Sequence, residues 1–168
     1  PRVARSMLDV PQGQQLLEEF GDTRLATKEA GAELGAVRGY AYLSSGKLEK
    51  AQESFADALG LFPNQPFALL GQARLAAGKK DFVGAAKIVD EVLVASPRNM
   101  DALFLKAELL VVASEKSSAI KIYDNIIAIR PDNFRAHTNR VSLSLMSDDL
   151  VTAETQLGAL KKIAPQNP

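Results

Sequence analysis

From about residue 29 the chain places apolar residues at the three-and-four spacing of amphipathic helices, in stretches that close at prolines. Pro63, Pro97, Pro131 and Pro165 fall at one constant interval along the chain. Within each interval the pattern breaks once, at Gly46, at Lys79-Lys80, at Ser114-Glu115 and at Ser147-Asp148-Asp149. Each interval therefore predicts two helices joined by a turn. A second ladder, Ala51, Ala85, Ala119 and Ala153, keeps the same step as the prolines. A third runs through Gly39, Ala73, Ala107 and Val141. Small side chains at these points let two helix backbones approach closely. Phe55, Val89, Tyr123 and Leu157, followed one turn later by Ala58, Val92, Ile126 and Leu160, fill the space beyond. Gly46 suits the left-handed turn that ends a first helix, and Pro63 stops a second.

These ladders resemble the tetratricopeptide repeat (TPR) family, whose signature is a helix–turn–helix period of about 34 residues, the interval that separates the prolines here. The resemblance implies an all-α fold, a TPR solenoid of antiparallel helix pairs forming a right-handed superhelix, and partner binding as the class of function. It delimits repeats at 29–62, 63–96, 97–130 and 131–165. Where the family usually holds a large aromatic, this chain has Gly35, Leu69, Leu103 and His137, and thinner packing is expected there. In the second repeat Gly71 and Gly78 are spaced like Gly39 and Gly46, which leaves a second alignment of its first helix open. Residues 1–28 read as a divergent or truncated preceding repeat, with a turn at Pro11-Gln12-Gly13. The start at Pro1 without Met, and the stop at 166–168, are read as the ends of a piece cut from a longer array. Leu157, Leu160 and Ile163 would then form an uncapped apolar edge, where the array continues, meets another molecule or self-associates.

Charge adds mainly exclusions. Lys and Arg number 20 against 20 Asp and Glu, and the pI is about 7.2, so bulk electrostatics do not favour nucleic acid as a partner. With no cysteine there is no disulfide, thiolate nucleophile or Cys-based zinc site. No apolar run is long enough to span a bilayer, so no membrane insertion by this stretch is expected. The single histidine, His137, falls on the inward side of a first helix and reads as a packed substitute for an aromatic. Asp148-Asp149 suits a turn or helix cap rather than acid–base work. Gly71 and Gly78 match no phosphate-binding loop. Neither a catalytic site, a cofactor nor a metal is expected. Arg130, Arg135 and Arg140 read as solvated charge, offset by Asp132, Asp148 and Asp149, with a contact for an acidic peptide or an anionic polysaccharide as the alternative.

Binding residues come from the resemblance and from helix geometry together. In the TPR family the first helix of each repeat lines a concave groove, at positions that correspond here to Glu33, Ala36, Tyr40 and Leu43. The later repeats supply Phe67, Leu70, Arg74 and Ala77, then Asp101, Phe104, Glu108 and Val111, then Arg135, Thr138, Ser142 and Leu145. Residues three and four apart share a helix face, which gives the same set. The candidate groove is carried by Tyr40, Leu43, Phe67, Leu70, Arg74, Asp101, Phe104, Glu108, Arg135, Thr138 and Ser142. Chaperone-binding TPRs grip a C-terminal carboxylate with Lys and Asn. The matching positions here are Ala36, Leu70, Phe104 and Thr138, and Tyr40, Arg74, Glu108 and Ser142, so that clamp is missing.

A finer resemblance is to the TPR lipoproteins of bacterial exosortase/PEP-CTERM exopolysaccharide systems. It rests on residues 68–76 (ALLGQARLA), on Arg130-Pro131-Asp132-Asn133 leading to Ala136-His137, and on the tail 161–168 (KKIAPQNP). It implies a scaffold for polysaccharide or surface-protein export, periplasmic or tethered to the outer membrane, with a protein or peptide partner. The residues themselves assign no compartment and leave the cytoplasm open. The rival reading is a structural spacer within a longer superhelix that assembles through its edges. The register is checked by stability. Ala119→Leu is expected to cost about 1–3 kcal/mol by overpacking, and Lys121→Leu on the outer face little. Equal effects in urea denaturation would mean that the helices are misphased.

Overall fold

The computed structural model describes residues 27–164. The readings of residues 1–26 and of 165–168 lie outside the described residues. All regular structure among the described residues is helical, as expected. The helices are α1 (Lys28–Ser44), α2 (Leu48–Leu61), α3 (Pro66–Gly78), α4 (Phe82–Ala95), α5 (Met100–Val112), α6 (Lys116–Ile129), α7 (Phe134–Leu145) and α8 (Leu150–Ile163). They pack in sequential pairs like TPR repeats. The chain divides into two compact units, Pro1–Val92 and Leu93–Pro168.

The repeat is written into the backbone as clearly as into the sequence. Gln65, Asn99 and Asn133, each one repeat after the last, cap α3, α5 and α7 by accepting from the N–H groups of Ala68, Ala102 and Ala136 at 2.6, 3.0 and 2.9 Å. The equivalent residue before the first of these helices is Gly31, which has no side chain to cap with. There α1 begins a turn earlier, capped by Thr27 Oγ1, which accepts from Ala30 N at 3.1 Å.

Each first helix ends on a left-handed residue. Gly46, Lys80, Ser114 and Asp148 have φ of 73°, 65°, 63° and 56°, and they recur at the interval of the prolines. In each turn the following N–H reaches back to the last turn of the helix: Lys47 to Tyr42 O, Asp81 to Ala76 O, Glu115 to Leu110 O and Asp149 to Ser144 O, at 2.8–2.9 Å. This six-to-one bond around a left-handed residue is the Schellman arrangement. Lys80, rather than Gly78, occupies the place of Gly46, so α3 keeps the register that the prolines set. Second helices stop at Leu61, Ala95 and Ile129, just short of Pro63, Pro97 and Pro131. Phe62 and Arg130, directly before prolines, are extended at φ −144° and −137°, because the proline ring crowds a helical residue in front of it.

In the first unit α1 packs on α2, and α3 lies against both. Phe55 of α2 is fully buried at the centre. A Cβ added at Gly39 of α1 would fall 2.5 Å from its ring, and one at Gly71 of α3 would overlap it outright. The ring thus fills the space that two absent side chains leave. A Cβ at Gly35 would sit 3.3 Å from Ala58 Cβ, so the α1 and α2 backbones close up there. The expected thinner packing is therefore absent at this residue. Leu103 and His137 at the equivalent positions are buried, and Leu69 is half-buried.

In the second unit α5 packs on α6, α6 on α7, and α7 on α8. The core joins Leu103, Phe104, Ala107, Ala119, Tyr123, Ile126, Ala136 and Leu143. Ala119 and Ala153 are buried as the ladder requires.

Three of the four left-handed positions carry side chains that disfavour that conformation. Ser114→Gly and Lys80→Gly are each expected to stabilise the chain by about 0.5–1 kcal/mol, and Gly46→Ala to destabilise it by about 1 kcal/mol. Urea midpoints measure all three. Loss of stability in both glycine variants would contradict the turn geometry.

Candidate interaction surfaces

The first unit's candidate residues lie on α1 and α3. Tyr40 and Phe67 stack with ring centroids 4.2 Å apart and planes 24° from parallel, and Tyr40 meets Phe55 edge-on at 5.2 Å. Tyr40, Leu43 and Phe67 are half-buried against the Phe55 core. Leu70 is only 2 % exposed, which corrects the expectation that it faces a ligand. Arg74 is half-buried.

In the second unit the candidates come from α5 and α7. The Arg135 guanidinium lies over the Phe104 ring, 4.3 Å from its centroid, and pairs with Glu108 Oε1 at 2.6 Å. Phe104 is buried beneath it at 6 % exposure, so its face is covered by Arg135 rather than open to a ligand. The ion pair is largely solvated and contributes about 0–1 kcal/mol. Its larger effect is to fix Arg135 flat, with further N–H donors available. Asp101, Thr138 and Ser142 are exposed. The two hydroxyls donate within their own helix, Thr138 Oγ1 to Phe134 O at 2.9 Å and Ser142 Oγ to Thr138 O at 3.1 Å.

One rule holds within each unit. The sequence interval between Glu108 and Arg135 is the same as that between Tyr40 and Phe67. In each case a residue late in one first helix meets one early in the next. Choosing groove residues one at a time missed these couples. The available signal was chemical matching at that spacing, aromatic with aromatic and acid with base.

Behind the second surface the interior is unusually polar. Arg140 is buried, with Nε donating to Asp124 Oδ1 at 2.9 Å and Nη1 to Ser144 Oγ at 2.6 Å. Arg135 and Arg140 are thus both engaged by carboxylates, and the three arginines read from the sequence do not form a free cationic patch. His137 is buried, its Nδ1 2.6 Å from the Gln156 amide oxygen and its Nε2 2.9 Å from Pro131 O. Asn139 Nδ2 donates to the Tyr123 hydroxyl at 3.2 Å. No buried side-chain polar atom among the described residues lacks a partner.

Among the described residues no group of three His, Cys, Asp or Glu side chains could hold a metal, and no helix is long and apolar enough to cross a membrane. The repeated hairpins, with caps, left-handed turns and alanine contacts that all recur in one register, define an α-helical repeat protein. Residues 37–99 match the tetratricopeptide repeat family (TPR_16), and the helix pairs on either side of that stretch repeat the same architecture. No curated protein sequence matches it. Solved structures with a similar fold include residues 41 to the end of MamA from Desulfovibrio magneticus RS-1. That structure is 17% identical with a TM-score of 0.69, over 99% of this chain and 94% of that one. The first TPR of Spaghetti (RPAP3), bound to the HSP90 peptide SRMEEVD, is 18% identical with a TM-score of 0.64, over 71% of this chain and 98% of that one. The APC/C hetero-tetramer Cut9–Hcn1 gives 16% and 0.72, over 93% of this chain and 30% of that one.

Burial pushes the Tyr123 hydroxyl above its ordinary pKa, the negative charge of Glu108 adds to the rise, and the Asn139 hydrogen bond and Arg135 charge oppose it. A raised folded pKa contributes stability that is complete below the unfolded value of 10.0 and is lost as pH climbs through the folded one. The stability difference between wild type and Tyr123→Phe is therefore expected to be flat to about pH 9 and to shift against wild type above about pH 10. Urea denaturation across that range measures it, and a pH-independent difference would contradict the assignment.

Proposed function

We propose that the chain is a non-catalytic interaction scaffold that takes an extended peptide or a helix on the first-helix faces of its repeats. The observation that carries this is the α5–α7 surface, where a flat, oriented guanidinium stands beside exposed Asp101, Thr138 and Ser142. Oriented Arg and aromatic groups are what binding hot spots commonly use. The Spaghetti repeat shares this fold and holds a peptide, which supports the mode. The carboxylate-clamp residues are missing here, so the ligand differs from a chaperone tail. The sequence resemblance to exosortase/PEP-CTERM lipoproteins is the support for placing the partner in bacterial polysaccharide or surface-protein export.

The spacer reading has an observation in its favour as well. Tyr40 with Phe67, and Glu108 with Arg135, are engaged in contacts between successive first helices. A test therefore has to use groove residues that no core contact needs. Peptides selected by display against the full chain are titrated with Thr138→Trp, Ser142→Trp and Lys121→Trp. The first two are expected to weaken binding about tenfold or more, and the third to leave it unchanged. Binding indifferent to both groove variants would overturn the proposal. Failure to select any peptide would favour the spacer.

A further inference from the structure

Exposed apolar side chains are concentrated at the edge of the second unit formed by the α5–α6 and α7–α8 turns, where Leu145, a first-helix candidate, ends α7. Val112, Leu145, Met146, Leu150 and Val151 are each more than half exposed. Lys116 Nζ donates to Met146 O at 3.1 Å, which holds the α5–α6 turn against the end of α7. Val112 and Met146 occupy the same place in successive repeats, and Leu150 and Val151 open α8 just beyond the second turn. The five side chains therefore share one edge. A contiguous apolar patch of this kind marks a docking surface rather than ordinary exposed hydrophobics.

The rim says what fits. Glu115, Asp148 and Asp149 are exposed in the same two turns. Glu115 accepts from Ser118 Oγ at 3.2 Å, and Asp149 caps α8 through Thr152 N at 3.1 Å. The Thr152 side-chain and backbone hydrogen bonds hold the Asp149 carboxyl below its ordinary pKa, so it is charged at neutral pH. Against these three carboxylates stands Lys116, whose ammonium is turned onto the Met146 carbonyl. The corresponding turns of the first unit carry Lys47, Lys79 and Lys80 against a single carboxylate, Asp81, which accepts from Gly84 N at 2.8 Å, and they lie beside exposed Phe82 and Val83. A carboxylate recurs at Asp81, Glu115 and Asp149, one per repeat, but the excess of acid over base belongs to the second unit alone.

We propose that this turn edge docks an amphipathic helix of a partner protein, one whose apolar stripe is flanked by Lys or Arg. An anionic membrane would be repelled by the rim. A second copy packed symmetrically would bring two acidic rims together. Only Leu145 of the five is also a first-helix candidate, so the proposal stands whatever occupies the first-helix faces.

A labelled helical peptide of leucine and lysine serves as the probe, with a leucine–glutamate peptide and phosphatidylcholine–phosphatidylserine vesicles in parallel. The full chain is expected to bind the Leu/Lys peptide and neither of the others. Met146→Ser with Leu150→Ser is expected to weaken binding about tenfold or more, and so is Asp148→Lys, a residue that Lys80 shows the turn accepts. Val83→Ser, in the first unit, is expected to change nothing. Unaltered melting temperatures verify that these exposed substitutions leave the fold intact. Equal binding by the double variant, or equal loss with Val83→Ser, would overturn the proposal. Equal binding of the Leu/Glu peptide would overturn its charge component. Vesicle binding without peptide binding, or self-association abolished by Met146→Ser, would replace the partner with a membrane or a second copy.

Discussion

Two helices can lie only as close as the side chains between them allow, and this fold depends on where that separation is made small. In the first unit the approach is made around Phe55, whose ring sits where Gly39 and Gly71 have no side chains. Burial of such a ring stabilises by about 3–5 kcal/mol, judged by what its truncation to Ala costs. Ala51 and Ala58 on either side of it are buried without remainder. The second unit solves the same packing problem with Tyr123 over Ala107 and Ala119. Its ring carries a hydroxyl that needs a partner, which Asn139 supplies. That exchange of Phe for Tyr adds to a set of polar contacts in which buried Arg140 reaches exposed Asp124 and buried His137 reaches half-buried Gln156.

Close approach also decides what the surface can present. When first helices are brought together, a residue late in one meets a residue early in the next, and the side chains at those places are matched to each other. Tyr40 lies on Phe67, and Glu108 holds Arg135. These contacts fix the faces that a ligand would meet, and they orient Arg135 instead of leaving it to sample solvent. Rigid presentation of this kind lowers the ordering cost of binding.

Much of the fold was legible in the sequence because it rests on residue size and on period. The alanine and proline ladders specify which faces meet and where helices stop, and the structure follows them. The left-handed turns at Lys80, Ser114 and Asp148 were not legible, since none of these residues announces that conformation as Gly46 does. There the geometry of the repeat overrides local preference. Leu70 and Phe104 were misjudged for a related reason. Helix geometry gives the face on which a side chain lies but not what the next helix lays over it. The acidic turn edge of the second unit escaped notice because its members come from two turns that only folding brings together.

The central claim is that Gly71 is required by the Phe55 ring and by nothing else. Urea denaturation of wild type, Phe55→Ala, Gly71→Ala and the double variant tests it directly. Gly71→Ala is predicted to cost about 1–3 kcal/mol in the wild-type background through overpacking. In the Phe55→Ala background the added methyl enters vacated space, and the higher helix propensity of Ala is predicted to make the same substitution stabilising by up to about 1 kcal/mol. An equal cost in both backgrounds would contradict the account.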